Sequence, residues 1–556
     1  MMKKWVVKGK LNGTDVTTLL LENRGLTDKK DIDFFLNPPN PSLPSYPSPS
    51  DVEIDKSSLA AALKRIKRAI KDKESIVVYA DYDADGICAG AIMWETLHHL
   101  GANVMPYIPH RVEEGYGLSV KGIDAIKDQH DVKLIITVDH GITGKEKVAY
   151  AKSLGIDVIV TDHHVKPKDV PDCTIVHTTM LCGAGVSWFL AKELLLAYHV
   201  SLVTYRDELL ALSAIGTIAD MVPLVGPNRA IVKYGLEIIN KTSRVGLDAL
   251  IAEAGLTKGT LSVYEVSHIL APRLNAMGRI EHALDALRLL CTHRKERADE
   301  LAAKLGLTNR ERQQLTVDTA IHAKEIVTRD KRHETRKLLF IVDESYNQGV
   351  IGLVAGKLVE EYYLPTIVVS KGETISKASA RSISGFNIVE AIRKMSDILV
   401  DVGGHPMAAG FTVETKHLET LQNRLEDLAA KELTEELLTR TLKIDAEIPL
   451  EFVTEELWKK LQAFQPFGFG NSEPVFATRG VTIKEARLVG ADGKHLKLLV
   501  TSHLSLIAIS AIAFNFGRLY GKLRPNAQVD IAYTIDRDTW NGNSKIQLKI
   551  KDIVVV

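Results

Sequence analysis

Three aspartates alternate with other residues in one short stretch that could hold a metal ion. The stretch is VVYADYDADGICAG at residues 77–90, and it carries Asp81, Asp83 and Asp85. Carboxylates this close together repel one another, so a cation or solvent must separate their charges. The pattern therefore raises the question of what these oxygens bind.

A calcium-binding EF-hand loop starts with the same D-x-D-x-D-G spacing, but the remaining residues disagree with that alternative. Such a loop requires a glutamate at its twelfth position and is entered from a helix. The twelfth position from Asp81 is Ile92, and residues 76–79 are the apolar run IVVY, which is typical of a buried strand. Three solvated loop aspartates without a ligand are the simplest remaining alternative.

Further candidate ligands follow two other predicted strands. LIITVD ends at Asp139, and DVIVTDHH ends at Asp162, His163 and His164. Functional groups gather outside the carboxyl ends of the strands in an open parallel sheet, so we expect these residues to converge. Asp220 is a fourth candidate, because a lone acid in the apolar run SAIGTIADMVPL is costly unless it is paired or binds metal.

Each candidate also has a simpler interpretation when it is taken alone. Asp139 could cap the helix predicted in DHGITGKEK, the two histidines could be surface residues, and Asp220 could be a cap or pair with an arginine. Together these alternatives require several coincidences at one sheet edge. Carboxylates with imidazole and no thiolate favour Mn²⁺ or Mg²⁺, and so many ligands suit two ions that share one aspartate and serve phosphoryl chemistry.

The elements that must position these residues alternate between helix and strand from about residue 58. This alternation predicts an α/β fold with a parallel, doubly wound sheet. A second α/β segment starts near KLLFIVDES, and a β-rich segment ends the sequence. We predict five parts: an N-terminal extension with a Pro-rich connector (1–57), a catalytic domain (58–280), a helical linker (281–336), a second α/β lobe with a trailing helix (337–440) and a β-barrel (441–556).

The predicted C-terminal barrel has the composition of a surface that binds single-stranded DNA. Residues 474–556 contain 12 Lys plus Arg against 6 Asp plus Glu, whereas the whole chain has 70 of each class. Short β-rich runs around turns such as WNGN at 540–543 suit an OB-fold that follows a nucleic-acid backbone. Phe514 and Trp540 could stack on bases, although we prefer a place in the barrel core for Phe514.

The composition argues against several other classes of protein. The chain has 556 residues, 45% hydrophobic and 25% charged, which is typical of a globular protein with several domains. We find no apolar run long enough for a transmembrane helix and expect no secretory signal or membrane partner. The four cysteines form no C-x-x-C pair, which favours a reducing, cytoplasmic location over a disulfide framework or a structural zinc site.

Four motifs resemble those of the DHH phosphoesterase superfamily: YADYDADG, TVDHG, TDHH and IGTIADMVPL, in that order. GGHPMAAGF is similar to the glycine-histidine motif of the DHH-associated domain. The segments RGLTDKKDIDFFLNP, EEGYGLS, APRLNAMGR, ARSISGFNIVEAI and FQPFGFGNSEPVF narrow the resemblance to the RecJ family, bacterial exonucleases that degrade single-stranded DNA from 5′ to 3′. The resemblance covers nearly the whole chain, with departures such as Tyr79 and Asn347, where relatives often have His.

The resemblance implies a DHH domain, a DHH-associated domain and an OB-fold, with two divalent ions, Mn²⁺ or Mg²⁺. It assigns the metal ligands as follows: Asp81 and Asp83 to one ion, Asp85, His163 and Asp220 to the other, and Asp139 to both. Asp139, His164 and Asp81 are expected to act directly in hydrolysis, with His164 facing the scissile phosphate. Asp162 would orient the histidines from outside the ligand set.

The resemblance also implies the residues that contact DNA: Arg273 and Asn275 at a phosphate, and Ser379, Arg381, Ser382 and His405 from the second lobe. It implies degradation to mononucleotides in DNA repair and recombination by a monomer, with a single-strand-binding protein and a helicase as candidate partners. The alternatives are an oligonucleotidase or phosphatase that acts on short nucleotides, and a catalytically inactive DHH scaffold that binds single-stranded DNA. The extra domains argue against the first, and the filled ligand positions argue against the second.

Overall fold

The structure is a computed structural model, and it describes residues 3–11, 15–111, 113–129, 131–200, 203–241, 243–329, 335–502, 507–538 and 544–555. The described chain divides into two units. One is centred on Leu307–Leu442, and the other comprises Trp5–Gly278, His282–Gly306 and Lys443–Val556. Among the described residues, no helix is both long enough and apolar enough to span a bilayer.

The N-terminal segment contains one strand and three helices: β1 (Lys4–Val7), α1 (Val16–Glu22), α2 (Lys29–Leu36) and α3 (Lys56–Lys71). Each helix follows an aspartate, Asp15, Asp28 or Asp55, whose carboxylate accepts a hydrogen bond from a first-turn amide. These caps satisfy amide groups that lack a partner inside the helix. α1 and α2 bury Leu20 and Phe35 in the same hydrophobic cluster as the C-terminal barrel.

The predicted doubly wound sheet is confirmed as five parallel strands in the order β3-β2-β4-β5-β6. Its strands and connecting helices are β2 (Ser75–Ala80), α4 (Ala84–His99), β3 (Asn103–Tyr107), α5 (Val120–Gln129), β4 (Val132–Val138), α6 (Lys145–Ser153), β5 (Asp157–Asp162) and β6 (Thr174–His177). Helices on both faces explain why the central strands are almost continuously apolar.

The strand register brings the carboxyl ends of the central strands level with one another. Ala80 pairs with Val138, and Val138 pairs with Thr161. Along each strand the side chains alternate between two hydrophobic clusters, so that Val78 and Val77 face opposite sides of the sheet. Residues that follow β2, β4 and β5 therefore lie at one edge of the sheet.

The helices that follow the sheet are α7 (Gly183–Ala197), α8 (Val203–Ala219), α9 (Gly226–Lys241), α10 (Val245–Glu253), α11 (Val263–Glu265), a π-helix (Val266–Leu270), α12 (Ala271–Ile280), α13 (Leu284–Cys291) and α14 (Lys295–Arg329). α4, α7 and α8 share one large hydrophobic cluster with the sheet. Asp220 thus follows the buried helix α8, whereas the other candidate acids lie at strand ends or at the start of α4.

The second α/β lobe is a five-stranded sheet in the order β10-β11-β9-β8-β7. Its elements are β7 (Leu339–Asp343), α15 (Ile351–Tyr362), β8 (Thr366–Ser370), β9 (Ile375–Arg381), α16 (Ile388–Arg393), β10 (Leu399–His405), β11 (Ala408–Glu414), α17 (Leu418–Glu432) and α18 (Glu435–Leu438). β7 and β8 are parallel, and the other neighbours are antiparallel. β10 lies at an edge of this sheet.

The C-terminal segment forms the predicted barrel. Its elements are β12 (Thr441–Ile444), β13 (Ala446–Glu447), α19 (Glu455–Gln462), β14 (Phe476–Val489), β15 (His495–Thr501), β16 (Ala508–Ala513), β17 (Gln528–Asp538) and β18 (Lys545–Val555). The strand order β14-β15-β16-β18-β17 closes on itself, because β17 also pairs with β14. Five strands closed in this order form an OB-fold.

The expectation for Phe514 was wrong. Its side chain is 53% exposed, and its ring meets the edge of His495 with centroids 5.3 Å apart. The preceding residue, Ala513, is fully buried, so the alternation of side chains along the chain turns Phe514 outward. Trp540 and the predicted WNGN turn lie outside the described residues.

One buried guanidinium connects three segments that are distant in the sequence. Arg229 on α9 is 1% exposed, and it lies over the Phe35 ring at 3.9 Å. It donates hydrogen bonds to the carbonyl oxygens of Phe35, Ala463, Phe464, Gln465 and Pro466. Burial lowers the pKa of Arg229 to about 10, which leaves it charged at neutral pH. The helical region, α2 and the segment before the barrel thus share one anchor.

We expect Arg229→Met to lower the free energy of unfolding by about 3 kcal/mol or more, because each buried carbonyl left without a donor costs about 1–3 kcal/mol. Urea denaturation followed by tryptophan fluorescence measures the loss. Arg68→Met is the matched control, since Arg68 forms an ion pair with Asp157 in which both side chains are more than half exposed, and such pairs contribute at most about 1 kcal/mol. Equal losses in both variants would contradict the anchoring role.

Candidate metal centre

The carboxylates predicted from the strand ends meet at one edge of the parallel sheet. Asp81 follows β2, Asp139 follows β4, and Asp162 ends β5 with His163 next in the chain. Asp81, Asp139 and Asp162 are at most 3% exposed. Charged groups are rarely buried to this degree unless they are paired or bind metal.

Two helix N-termini stabilise two of the other aspartates. Asp83 caps α4 by accepting hydrogen bonds from the amides of Asp85 and Gly86, at 2.9 and 3.0 Å. Asp85 accepts hydrogen bonds from the amides of Gly183 and Ala184 at the start of α7, at 2.7 and 2.9 Å. Amides at helix N-termini favour negative charge. The contribution of α7 was not predicted from the sequence, where the only signal is a run of small residues before an apolar helix.

Gly183 allows the start of α7 to pack directly against the Asp139 side chain. A Cβ atom added there would lie 2.3 Å from Asp139 Oδ1, well inside van der Waals contact. The position therefore has no room for a side chain while Asp139 keeps its place.

Asp139 lies in a tight turn rather than at a helix cap. Its φ is 68°, its amide donates to Thr161 O at 3.0 Å, and the Thr137 hydroxyl closes the turn on His140 O at 2.8 Å. Helix α6 begins six residues later, after Gly144, so the helix-cap alternative for Asp139 is wrong. A non-glycine residue with positive φ costs of order 1 kcal/mol or more and is typical of functional sites.

His163 connects the carboxylates of the strand ends to Asp220. His163 Nε2 lies 3.1 Å from Asp139 Oδ1 and 4.0 Å from Asp85 Oδ2, while Nδ1 lies 3.8 Å from Asp220 Oδ2. Three groups have potential ligand atoms within 4.8 Å of one another: Asp81, Asp83 and Asp139; Asp85, His163 and Asp220; and Asp139, His163 and His164. The structure thus brings together every ligand predicted from the sequence.

The burial and crowding of these carboxylates suit a bound cation. Burial, followed by the charges of neighbouring aspartates, raises the pKa of Asp81 and Asp139 well above the ordinary value and that of Asp220 to about 8. Asp81 Oδ1 and Asp139 Oδ1 are buried and accept no hydrogen bond within the described part of the chain. Oxygens that are desolvated, crowded and unsatisfied are the ligand set that a hard divalent cation prefers.

Asp162 and His164 form a separate pair beside the ligands. Asp162 accepts hydrogen bonds from Ile142 N and His164 Nδ1, both at 2.8 Å. Burial acts to raise the pKa of Asp162, but these hydrogen bonds and the His164 charge outweigh it and hold that pKa below its usual range. Burial likewise acts to lower the pKa of His164, and Asp162 outweighs it and raises that pKa. These two shifts favour an ionised Asp162 carboxylate beside a protonated His164 ring.

Two residues near this pair were not predicted from the sequence. The Tyr116 hydroxyl lies 3.3 Å from His164 Nε2 and from Asp139 O. His140 is buried with Nε2 at 2.9 Å from Tyr79 O, and burial lowers its pKa to about 4. Both residues lie in motifs noted in the sequence, Tyr116 in EEGYGLS and His140 in TVDHG. A tyrosine and a histidine at these positions did not by themselves indicate a role.

The predicted phosphate-contacting residues of the DHH region already have partners in the chain. Arg273 Nε donates to Glu253 at 2.8 Å, and its Nη1 donates to Ile269 O at 2.9 Å. Asn275 Oδ1 accepts a hydrogen bond from the Ala84 amide at 2.8 Å. Asn275 thus supports the start of α4, whereas a phosphate would have to share Arg273 with Glu253.

The second lobe contains the other four predicted contacts. Ser379 and Arg381 are neighbours on β9, where Arg381 Nη1 donates to Ser379 Oγ at 3.2 Å. Ser382 is 5% exposed and donates to Phe386 O at 2.6 Å. His405 is exposed at the end of β10. Burial lowers the pKa of Arg381.

Three family models match the chain. The DHH family N-terminal domain matches residues 75–217, the DHHA1 domain matches residues 335–431, and the RecJ OB domain matches residues 444–552. These matches coincide with the parallel sheet, the second lobe and the barrel.

Curated relatives and solved structures match most of the chain. Sequence identity is 39% to the single-stranded-DNA-specific exonuclease RecJ of Bacillus subtilis, over 89% of this chain and 63% of the relative. It is 33% to the Thermus thermophilus exonuclease of the same name, over 96% and 74%. The crystal structure of T. thermophilus RecJ with Mn²⁺ matches with a TM-score of 0.82 at 30% identity, over 99% of this chain and 79% of that one. The chain spans 63% of the length of the B. subtilis relative.

We expect the thermal stability of the protein without metal to fall as the pH rises from about 4 to about 8. In this window the folded chain keeps protons on carboxyls such as Asp220 that the unfolded chain, with a pKa of 3.8, has lost, so stability decreases with pH. Melting temperatures in chelator from pH 5 to 8 measure the slope. Mn²⁺ should flatten it by replacing the protons, and Asp220→Asn should reduce it without metal. Identical slopes in all three cases would contradict this assignment.

Gly183→Ala should abolish metal-induced stabilisation while the chain remains folded, because the added methyl group displaces Asp139. The shift of melting temperature on addition of Mn²⁺ checks this, with circular dichroism as the test of folding. Gly356→Ala is the matched control, since a Cβ at this helical position meets nothing within 4 Å. A normal Mn²⁺ shift in Gly183→Ala would show that Asp139 does not need its present position.

Proposed function

The chain belongs to the RecJ family of single-stranded-DNA-specific exonucleases, and we propose that it hydrolyses single-stranded DNA from the 5′ end to mononucleotides in a metal-dependent reaction. The observation that carries the proposal is the convergence of Asp81, Asp139 and His163 from three strand ends with Asp220, the residue after α8. The relatives named as such exonucleases support the choice of substrate. The crystal structures of RecJ with Mn²⁺ and Mg²⁺ support a divalent cofactor.

We assign the ligands to two ions on the basis of the groups that the structure brings together. Asp85, His163 and Asp220 would hold one ion, and Asp81 and Asp83 the other. Asp139 is the candidate bridge, because its carboxylate belongs to one group and lies 3.1 Å from His163 of the other. When bound, the ions would supply positive charge to the phosphate, the attacking water and the leaving oxygen.

The protein itself supplies a positioned proton donor beside the ligands. Asp162 fixes the His164 ring through Nδ1 and favours its protonated form, so that Nε2 carries a hydrogen toward the site. Tyr116 holds that edge of the ring from the other side. We assign His164 to the scissile phosphate, where a donated hydrogen bond is strongest as charge develops on the phosphate oxygens.

We assign binding of the rest of the DNA strand to groups away from the metal ligands. Ser379, Arg381 and His405 of the second lobe have hydroxyl, guanidinium and imidazole groups suited to phosphates, whereas the Ser382 hydroxyl already donates within the lobe. The barrel presents exposed cations that form no ion pair among the described residues, namely Lys484, Arg487, Arg518, Lys522 and Arg524. Such a surface supports binding of a single strand through its backbone.

The remaining parts of the proposal rest on the family resemblance. They are action as a monomer in the cytoplasm, a place in DNA repair and recombination, and a single-strand-binding protein and a helicase as partners. The OB-fold supports the single strand itself as the common substrate of these processes.

We expect Asp139→Asn to reduce hydrolysis about a thousandfold or more and to change binding of single-stranded DNA little. Asp139 is the ligand that both ions would share. Metal interactions lower the activation barrier by several kcal/mol, and a change of about 1.4 kcal/mol alters the rate tenfold. Hydrolysis of 5′- and 3′-labelled oligonucleotides with Mn²⁺ measures the rate and direction, and binding is measured in chelator. Asp157→Asn is the control, because Asp157 begins β5 at the opposite end of the strand.

Three results would contradict the proposal. Undiminished hydrolysis in chelator would exclude the metal centre. A preference for dinucleotides over long strands would favour an oligonucleotidase, and binding without hydrolysis would favour an inactive scaffold.

A further inference from the structure

An apolar groove opens beside the segment that carries Asp220, within the same unit of the structure. Its volume is about 320 Å³, within the range of about 300–1,000 Å³ that is common for small-molecule sites. One wall is formed by Thr217 and Ile218 at the end of α8 and by Met221, which follows Asp220 in the chain. The π-helix region forms the second wall, and the segment that leads to the barrel forms the third. The groove therefore adjoins the segment that carries the candidate ligand Asp220.

Three large apolar or aromatic side chains that line the groove are exposed. Met221 is 61% exposed, Tyr264 60% and Phe469 59%. The Tyr264 ring stacks on His268, with centroids 4.5 Å apart and planes 18° apart, so that its flat face has a fixed orientation. Clusters of exposed apolar side chains of this kind mark binding sites, whereas single ones do not.

The backbone that carries Phe469 is held against the end of the α8 segment. Leu224 donates its amide hydrogen to Phe469 O at 2.7 Å. Gly470 has a φ of 75°, and a Cβ atom there would lie 2.7 Å from Pro223 Cβ. This close packing, which only glycine permits, leaves the Phe469 ring outside the protein core.

We propose that this groove binds a nucleobase of the single-stranded substrate, from a nucleotide on the 3′ side of the scissile phosphate. The inference rests on the proposed function, since a 5′→3′ exonuclease keeps its undegraded strand on that side. Aromatic faces bind bases by stacking with little dependence on sequence. The described lining residues include no Lys or Arg, so the groove suits a base rather than a phosphate.

An acidic apolar peptide is the other class of occupant, and the groove chemistry disfavours it. Glu473 is the acidic residue among the described lining residues, which include no Lys or Arg to attract a carboxylate-rich segment. A neutral base carries no such penalty. Met221 lines the groove and directly follows the candidate ligand Asp220, so a strand bound at the metal centre can reach the groove.

The test measures binding of the full chain to oligodeoxythymidine in the Asp139→Asn background, in chelator. A single abasic nucleotide is moved along the strand. Tyr264→Ala and Phe469→Ala should raise Kd for the intact strand about five- to a hundredfold. In the parent, one abasic position 3′ of the first phosphate should cost the same factor, and in the two variants that position should cost nothing further. Tyr264→Phe, which keeps the ring, should restore tight binding.

The control for a general loss of exposed aromatic surface is Phe452→Ala, because Phe452 is 48% exposed and lies outside the groove. It should bind as the parent does. Equal abasic penalties in the parent and the variants would overturn the proposal. So would a sensitive position at the 5′-terminal nucleotide alone, or a loss of melting temperature in Tyr264→Ala that accounts for the weaker binding. This assay measures binding without hydrolysis, so it tests the groove alone. The labelled-strand experiment tests the exonuclease proposal separately.

Discussion

Mutual repulsion among carboxylates gathered at one edge of a buried sheet is the constraint on which the rest of this structure depends. Strands β2, β4 and β5 of the central sheet are largely apolar, and each leads into an acid at the same edge: Asp81, Asp139 and Asp162. No arrangement of these acids is stable in the charged form without compensating positive charge. The surrounding elements can be understood by how they supply part of that compensation and leave the remainder to a cation.

Helix N-termini supply the first part of this compensating charge. The beginning of α4 stabilises Asp83, and the beginning of α7 stabilises Asp85 through two amides. The start of α7 packs tightly against the site, since any side chain at Gly183 would collide with Asp139. Asp81 and Asp139 receive no such help. Burial and neighbouring charges raise the pKa of both, and one oxygen of each accepts no hydrogen bond among the described residues. A metal centre is thus the consequence of incomplete compensation by the protein.

A second constraint joins the parts of the chain that surround this sheet. The N-terminal helices contribute to the barrel core, and Arg229 binds carbonyl groups from α2 and from the segment before the barrel. The extension, the catalytic sheet and the barrel are therefore packed as one unit, although a linear division of the sequence separates them. The apolar groove is formed by this packing, because its walls come from α8, the π-helix and the segment around Phe469.

The sequence by itself determined which residues could bind metal and which elements carry them. Apolar runs that end in Asp81, Asp139 and Asp162 identify strands and ligands together, since strand burial and ligand chemistry both act on local residue types. The order of β-rich runs and the basic excess likewise indicated the OB-fold. Only the tertiary structure decided which partner each group meets: Asp85 with the amides of α7, Arg273 with Glu253, and Phe514 with solvent. These contacts join residues whose spacing in the chain is arbitrary, so they depend on how whole elements pack and leave no periodic trace in the sequence.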